Sequence, residues 1–92
     1  MPFILTRLNV GDYDMWKPMF DQDKPGARAA SKGWRIFRNA DNPGEQVFIQ
    51  VEFESLEDAR EGRECLLASC VLDRFQDKSG PHIVEEAETV AE

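Results

Sequence analysis

Ninety-two residues, 41% of them hydrophobic, make one globular domain (1–92) near the lower end of what a single core stabilises, so self-association that buries more apolar surface would help. The formal net charge of -7 argues against nucleic acid or an anionic membrane as the main partner, because both carry charge of the same sign. No apolar run approaches bilayer-spanning length, and Met1-Pro2 leads into Phe3 without the basic start and long apolar region of a signal peptide, so a cytoplasmic protein is expected.

Phe3 to Val10 reads as a strand, with Ile4, Leu8 and Val10 on one side, Phe3 and Leu5 on the other, and both faces covered. Gly11 ends it. Asp12 or Asp14 then caps a helix, on which Tyr13, Trp16 and Phe20 recur at helical spacing to form one stripe. Pro18 costs roughly 3 kcal/mol in a regular helix interior, which favours a start at Asp14. Pro25-Gly26 breaks the pattern, so the first helix ends near Lys24 and a short segment follows through Ala27, Ala29 and Ala30.

Gly33 to Asn39 and Gln46 to Glu54 form a hairpin across the turn-rich 39–45 stretch. The second strand alternates most cleanly: Val47, Ile49, Val51 and Phe53 take a core face, and Phe48 shares the other with Gln46, Gln50, Glu52 and Glu54. Ser55 with Asp58 makes a capping-box-like start to a second helix, whose inner side runs through Leu56, Ala59, Arg63, Leu66 and Cys70. An irregular link from Val71 to Lys78 leads through Ser79-Gly80-Pro81 to a last strand from His82 to about Val90. The fold class is α+β, a ferredoxin-like β-α-β-β-α-β domain with two helices on one face of a four-stranded antiparallel sheet. The other face carries residues such as Phe48, and two sheets closing face to face would cover it.

Chemistry-bearing residues are sparse. Lys24, Arg28, Lys32, Arg35 and Arg38 fall in a span without acids, which reads as a solvated face or as a basic mouth for an anionic small molecule. Cys65 and Cys70 point in different directions from one helix and stay reduced and partly buried. With one histidine and no zinc-type spacing, no metal site is expected; no phosphate loop or nucleophile elbow is present, and no cofactor is expected. His82 is the side chain whose ordinary titration range suits proton transfer near neutrality. Trp16, Phe20, Trp34, Phe37 and Phe48 have two readings, core or ligand wall, and the two can coexist.

The blocks GDYDMWKPMFD, SKGWRIFRNADNPGEQVFIQVEF and SLEDAR, in this order and spacing, resemble the dimeric alpha-beta barrel superfamily, in particular its small bacterial cyclase-like or antibiotic-biosynthesis-monooxygenase-like proteins. The similarity covers Phe3 to Leu67 and fades beyond; Pro25-Gly26 departs from the continuous helix usual in that family. The resemblance implies a homodimer, closed through the open sheet faces into an α+β barrel, with a cavity in each subunit between sheet and helices. Superfamily activities include cofactor-free oxidation of aromatic polyketides, cyclisation or isomerisation of small rings, and haem degradation. The last is disfavoured because neither predicted helix carries a histidine.

The resulting expectation is a homodimer that binds a small apolar, aromatic or anionic molecule and acts on it as a cofactor-independent monooxygenase or cyclase. His82 or Tyr13 would handle a proton, while Trp16, Phe20, Trp34, Phe48 and Arg38 contact ligand. The alternative is a non-catalytic carrier or interaction dimer.

Overall fold

The first strand, β1 (Pro2–Asn9), alternates between buried and accessible residues along its length. Ile4, Thr6 and Leu8 are buried, while Leu5 is 40% exposed, so one face of β1 is covered and the expectation of burial on both faces is corrected. The computed structural model describes residues 1–22, 26, 28–42, 44–70 and 72–90. Its further elements are α1 (Tyr13–Gln22), β2 (Gly33–Arg38), β3 (Gln46–Glu52), α2 (Leu56–Ala68) and β4 (Lys78–Glu85).

The strands form one antiparallel sheet in the order β2-β3-β1-β4, consistent with a ferredoxin-like α+β arrangement. Side chains of directly paired residues share a face, so the registers define rows across the sheet. Trp34, Val51, Ile4 and Ile83 form one row on the covered face; Arg38, Val47, Leu8 and Lys78 form another. Trp16 of α1 and Ala59 of α2 join Ile4, Leu8, Val47, Ile49, Val51, Phe53 and Leu72 in the core, which places both helices on this face. Leu72 was not expected inside, since its segment reads as an irregular polar link.

Local chemistry explains the helix ends. Asp12 caps α1: its Oδ1 accepts from the Asp14 N–H at 3.0 Å, and its carbonyl accepts from Trp16 at 3.1 Å. The β2–β3 loop holds the same start, because Gly44 and Glu45 carbonyls accept from the Tyr13 and Val10 N–H groups at 2.8 and 2.6 Å. Pro18 lies inside α1, and the expected end near Lys24 falls outside the described residues, as do Pro25 and Ala27. Ser55 Oγ accepts from the Asp58 N–H at 3.1 Å, confirming the cap of α2. That helix stops at Ala68 rather than reaching Cys70, which turns to φ 59 and is exposed. Ala59 and Gly62 are its buried residues, small enough to let the helix lie close to the sheet.

The last strand departs most from expectation, starting at Lys78 and ending at Glu85 instead of running from His82 to Val90. Proline is tolerated on edge strands and at bulges, and Pro81 meets both conditions: β4 is an edge, and its register with β1 shifts between Leu5 and Arg7. Leu5 pairs with His82 but Arg7 pairs with Ser79, so β4 carries an additional residue there. Gly80 makes this bulge feasible. It adopts φ +94, and a Cβ on it would stand 2.6 Å from the Leu5 carbonyl oxygen and 2.9 Å from the His82 nitrogen.

Gly80→Ala is accordingly expected to lower unfolding free energy by about 2 kcal/mol or more and to speed amide exchange in β4. Gly44→Ala, where nothing lies within 4 Å of the new methyl group, is expected to change stability by less than about 0.5 kcal/mol. Urea titration of both variants checks the contrast, and equal midpoints would refute the role given to Gly80.

Candidate functional site

The residues with chemical potential divide between the two faces of the sheet. On the covered side, Tyr13, Trp16 and Phe20 follow one another at spacings of three and four residues along α1, so their rings stack down one helix face. Ring centroids are 5.9 Å apart for Tyr13 and Trp16 and 5.1 Å for Trp16 and Phe20. Phe20 then meets Trp34 of β2 edge-on at 6.3 Å. Trp16 is buried, and Trp34, on the edge strand, is 48% exposed.

Two guanidinium groups complete this row. Arg28 stands 3.8 Å from the Phe20 ring centroid and 4.5 Å from that of Trp34, and its Nη2 donates to the Phe20 carbonyl. Arg38 stands 4.9 Å from the Tyr13 ring. Each stacking is worth about 0.5–1 kcal/mol at an accessible site. The row is therefore largely satisfied within the chain, and a flat ligand meeting Phe20 or Trp34 would compete with Arg28.

The open side is differently built. Its rows run Phe37, Phe48, Arg7, Ser79; Arg35, Gln50, Leu5, His82; and Gly33, Glu52, Phe3, Val84. Leu5, Phe37 and Phe48 keep between 40% and 48% of their surface accessible. They line a shallow open hollow of about 170 Å³ together with Gln50, Ser79 and His82. Arg7 also borders it, but its Nη2 is held by Asp77 Oδ1 at 3.0 Å, which neutralises its charge within the chain. The polar element facing the apolar wall is the pair Ser79 and His82, with Oγ 3.2 Å from Nε2.

Of the residues named from the sequence, Tyr13, Trp16, Phe20, Trp34 and Arg38 are brought together on the helix side, and Phe48 and His82 on the open side. His82 and Tyr13 thus stand on opposite faces, and one bound substrate would meet one of them. Phe37, read from the sequence as core or ligand wall, stands in the open-face wall, whereas Leu5, Gln50 and Ser79 were not singled out. Alternation along β1 and β3 carries the signal for Leu5 and Gln50, since each lies at an even spacing from an open-face neighbour. No such signal exists for Ser79, because residues three apart on a regular strand face opposite ways.

Among the described residues no group of three or more His, Cys, Asp or Glu is placed to hold a metal ion, and no helix is long and apolar enough to cross a membrane. Comparison with protein-family models, curated proteins and solved structures finds no match to the chain.

The split between buried and accessible rings is measurable. Trp16→Ala is expected to cost about 3–5 kcal/mol of stability, whereas Trp34→Ala should cost about 1 kcal/mol, from lost ring and guanidinium contacts. Denaturant unfolding of both variants checks this, and a cost at Trp34 equal to that at Trp16 would mean that the β2 edge belongs to the core.

Proposed function

We propose that this chain is a homodimeric, small-molecule-binding protein of the dimeric alpha-beta barrel type. Two open sheet faces close on each other, and the protein acts as a cofactor-independent monooxygenase or cyclase on an aromatic or polyketide-like substrate. The observation carrying this reading is the hollow on the open face, where Leu5, Phe37 and Phe48 form an apolar wall and His82, touching Ser79, gives it a polar end. Small-molecule sites are built in this way, from apolar walls and a few convergent polar groups.

Size supports the dimer. Small-molecule pockets span roughly 300–1,000 Å³, and one hollow of about 170 Å³ falls short of that range while two facing hollows reach its lower end. Arg7 would enter the interface already paired with Asp77, so closing the faces does not strand that charge in an apolar setting, while Arg35 and Glu52 of the same face would pair across the interface or stay at its rim.

Within the closed chamber, which this reading sets between the two sheets instead of between sheet and helices, the protein works by holding a reactive substrate and excluding water. His82 takes the proton from an acidic phenol or enol. The resulting anion either attacks an internal carbonyl, closing a ring and recovering the proton on the new hydroxyl, or adds dissolved oxygen at carbon to form a hydroperoxide that takes the proton and loses water, leaving one oxygen atom in the product as a new carbonyl. Tyr13, on the far side of the sheet, takes no part in this route.

The rival reading is a non-catalytic carrier dimer, favoured by the helix-side row in which Arg28 and Arg38 already cover Phe20, Trp34 and Tyr13. Both readings share the dimer.

Sedimentation equilibrium at micromolar concentration is expected to give a dimer, and Phe48→Asp a folded monomer with unchanged far-ultraviolet dichroism. A stable wild-type monomer would remove the barrel reading. Incubation with aromatic polyketide quinols under oxygen should give turnover that His82→Ala reduces by about 10²-fold or more. Tyr13→Phe should leave it within about twofold of wild type, because a group across the sheet contributes no proton transfer. Binding without turnover would select the carrier.

A further inference from the structure

We infer that Ser79 is a positioning residue: its Oγ accepts the Nε2–H of His82, selects that tautomer, and leaves Nδ1 as the basic nitrogen offered to a ligand. This rests on the proposed use of His82 as proton acceptor. It adds which nitrogen acts and what sets it.

The geometry starts at the bulge. On a regular strand Ser79 and His82 would face opposite ways, and the additional residue opposite the stretch from Leu5 to Arg7 brings both to the open face. Their side chains then meet at 3.2 Å between Oγ and Nε2. The Cδ2 side of the ring lies toward Gly80, since a Cβ placed there would come within 3.3 Å of His82 Cδ2. Cδ2 and Nε2 are adjacent ring atoms, so the edge that holds both is turned toward its own strand. The opposite edge, with Nδ1, is turned away from Ser79.

A neutral imidazole has one N–H and one lone pair. If Nε2 carries the proton and gives it to Ser79, the lone pair is on Nδ1, where a substrate proton can be taken. If Ser79 donated to Nε2 instead, Nδ1 would carry the proton and the site would present a donor. The nitrogen turned toward the strand is already engaged, so a base at this position must use Nδ1. That requires Ser79 as acceptor.

His82 is the single histidine of the chain, which makes the test direct. Two-bond proton–nitrogen correlation spectra of the uniformly labelled full chain, with the ring neutral, report the proton's position without substrate or activity. The Nε2–H form is expected to dominate. Ser79→Ala should lower the ratio of Nε2–H to Nδ1–H by about twofold to tenfold, the range of one hydrogen bond, and Ser79→Thr, which keeps the hydroxyl, should retain it. A wild-type ring protonated mainly on Nδ1, or a ratio unchanged in Ser79→Ala, would overturn the inference. Absence of turnover by the wild type would instead remove the catalytic role of His82 and leave the tautomer assignment standing.

Discussion

The arrangement depends on β1 being paired along both edges, with β3 on one side and β4 on the other. A strand in that position is held along both edges, and its period of two then decides what each face receives. Ile4, Thr6 and Leu8 go to the helices, and Phe3, Leu5 and Arg7 go to the other side. A slip by one residue would exchange the two sets. The core therefore holds the register, and the register in turn composes the open face, although that face contributes little to the core itself.

The faces solve different problems. On the helix side, aromatic surface is covered from within the chain: Trp16 sinks into the core, and Arg28 stacks against Phe20 and Trp34 at the edge where helix cover ends. Guanidinium suits this task because its flat, weakly hydrated plane can lie on a ring while its N–H groups reach a carbonyl, as they do at Phe20. On the open side, by contrast, Leu5, Phe37 and Phe48 have no cover of that kind, and Arg7 is turned to an aspartate rather than to a ring. Accessible apolar area of this kind, unusual on a small domain, is the ground on which the proposed dimer rests.

Against the regularity of β1, the bulge in β4 is a local irregularity with chemical consequences. It needs a residue without a side chain at Gly80, where the Leu5 carbonyl approaches too closely for a methyl group. It also tolerates Pro81, whose missing N–H would break a central strand. Its effect is to reverse the facing of a short stretch, so that a hydroxyl and an imidazole three residues apart in the chain become neighbours. The capped start of α1 shows the same economy at longer range, since carbonyls of the β2–β3 loop satisfy N–H groups just after β1.

Much of this was legible in the chain. Alternation along Gln46 to Phe53 reports both faces of β3, Ser55 with Asp58 reports the start of α2, and the spacing of Tyr13, Trp16 and Phe20 reports a stripe on α1. These are local properties, governed by side-chain period and by hydrogen bonds a few residues long, so neighbours in the sequence suffice to read them. The limits of β4, the burial of Leu72, the end of α2 before Cys70 and the separation of His82 from Tyr13 depend on contacts between distant segments. Strand pairing alone decides which β1 residue opposes His82 and which opposes Ser79, and no spacing within β4 carries that information. The pair at the polar end of the hollow therefore exists through the register of β4 on β1, with Gly80 and Pro81 as its traces in the sequence.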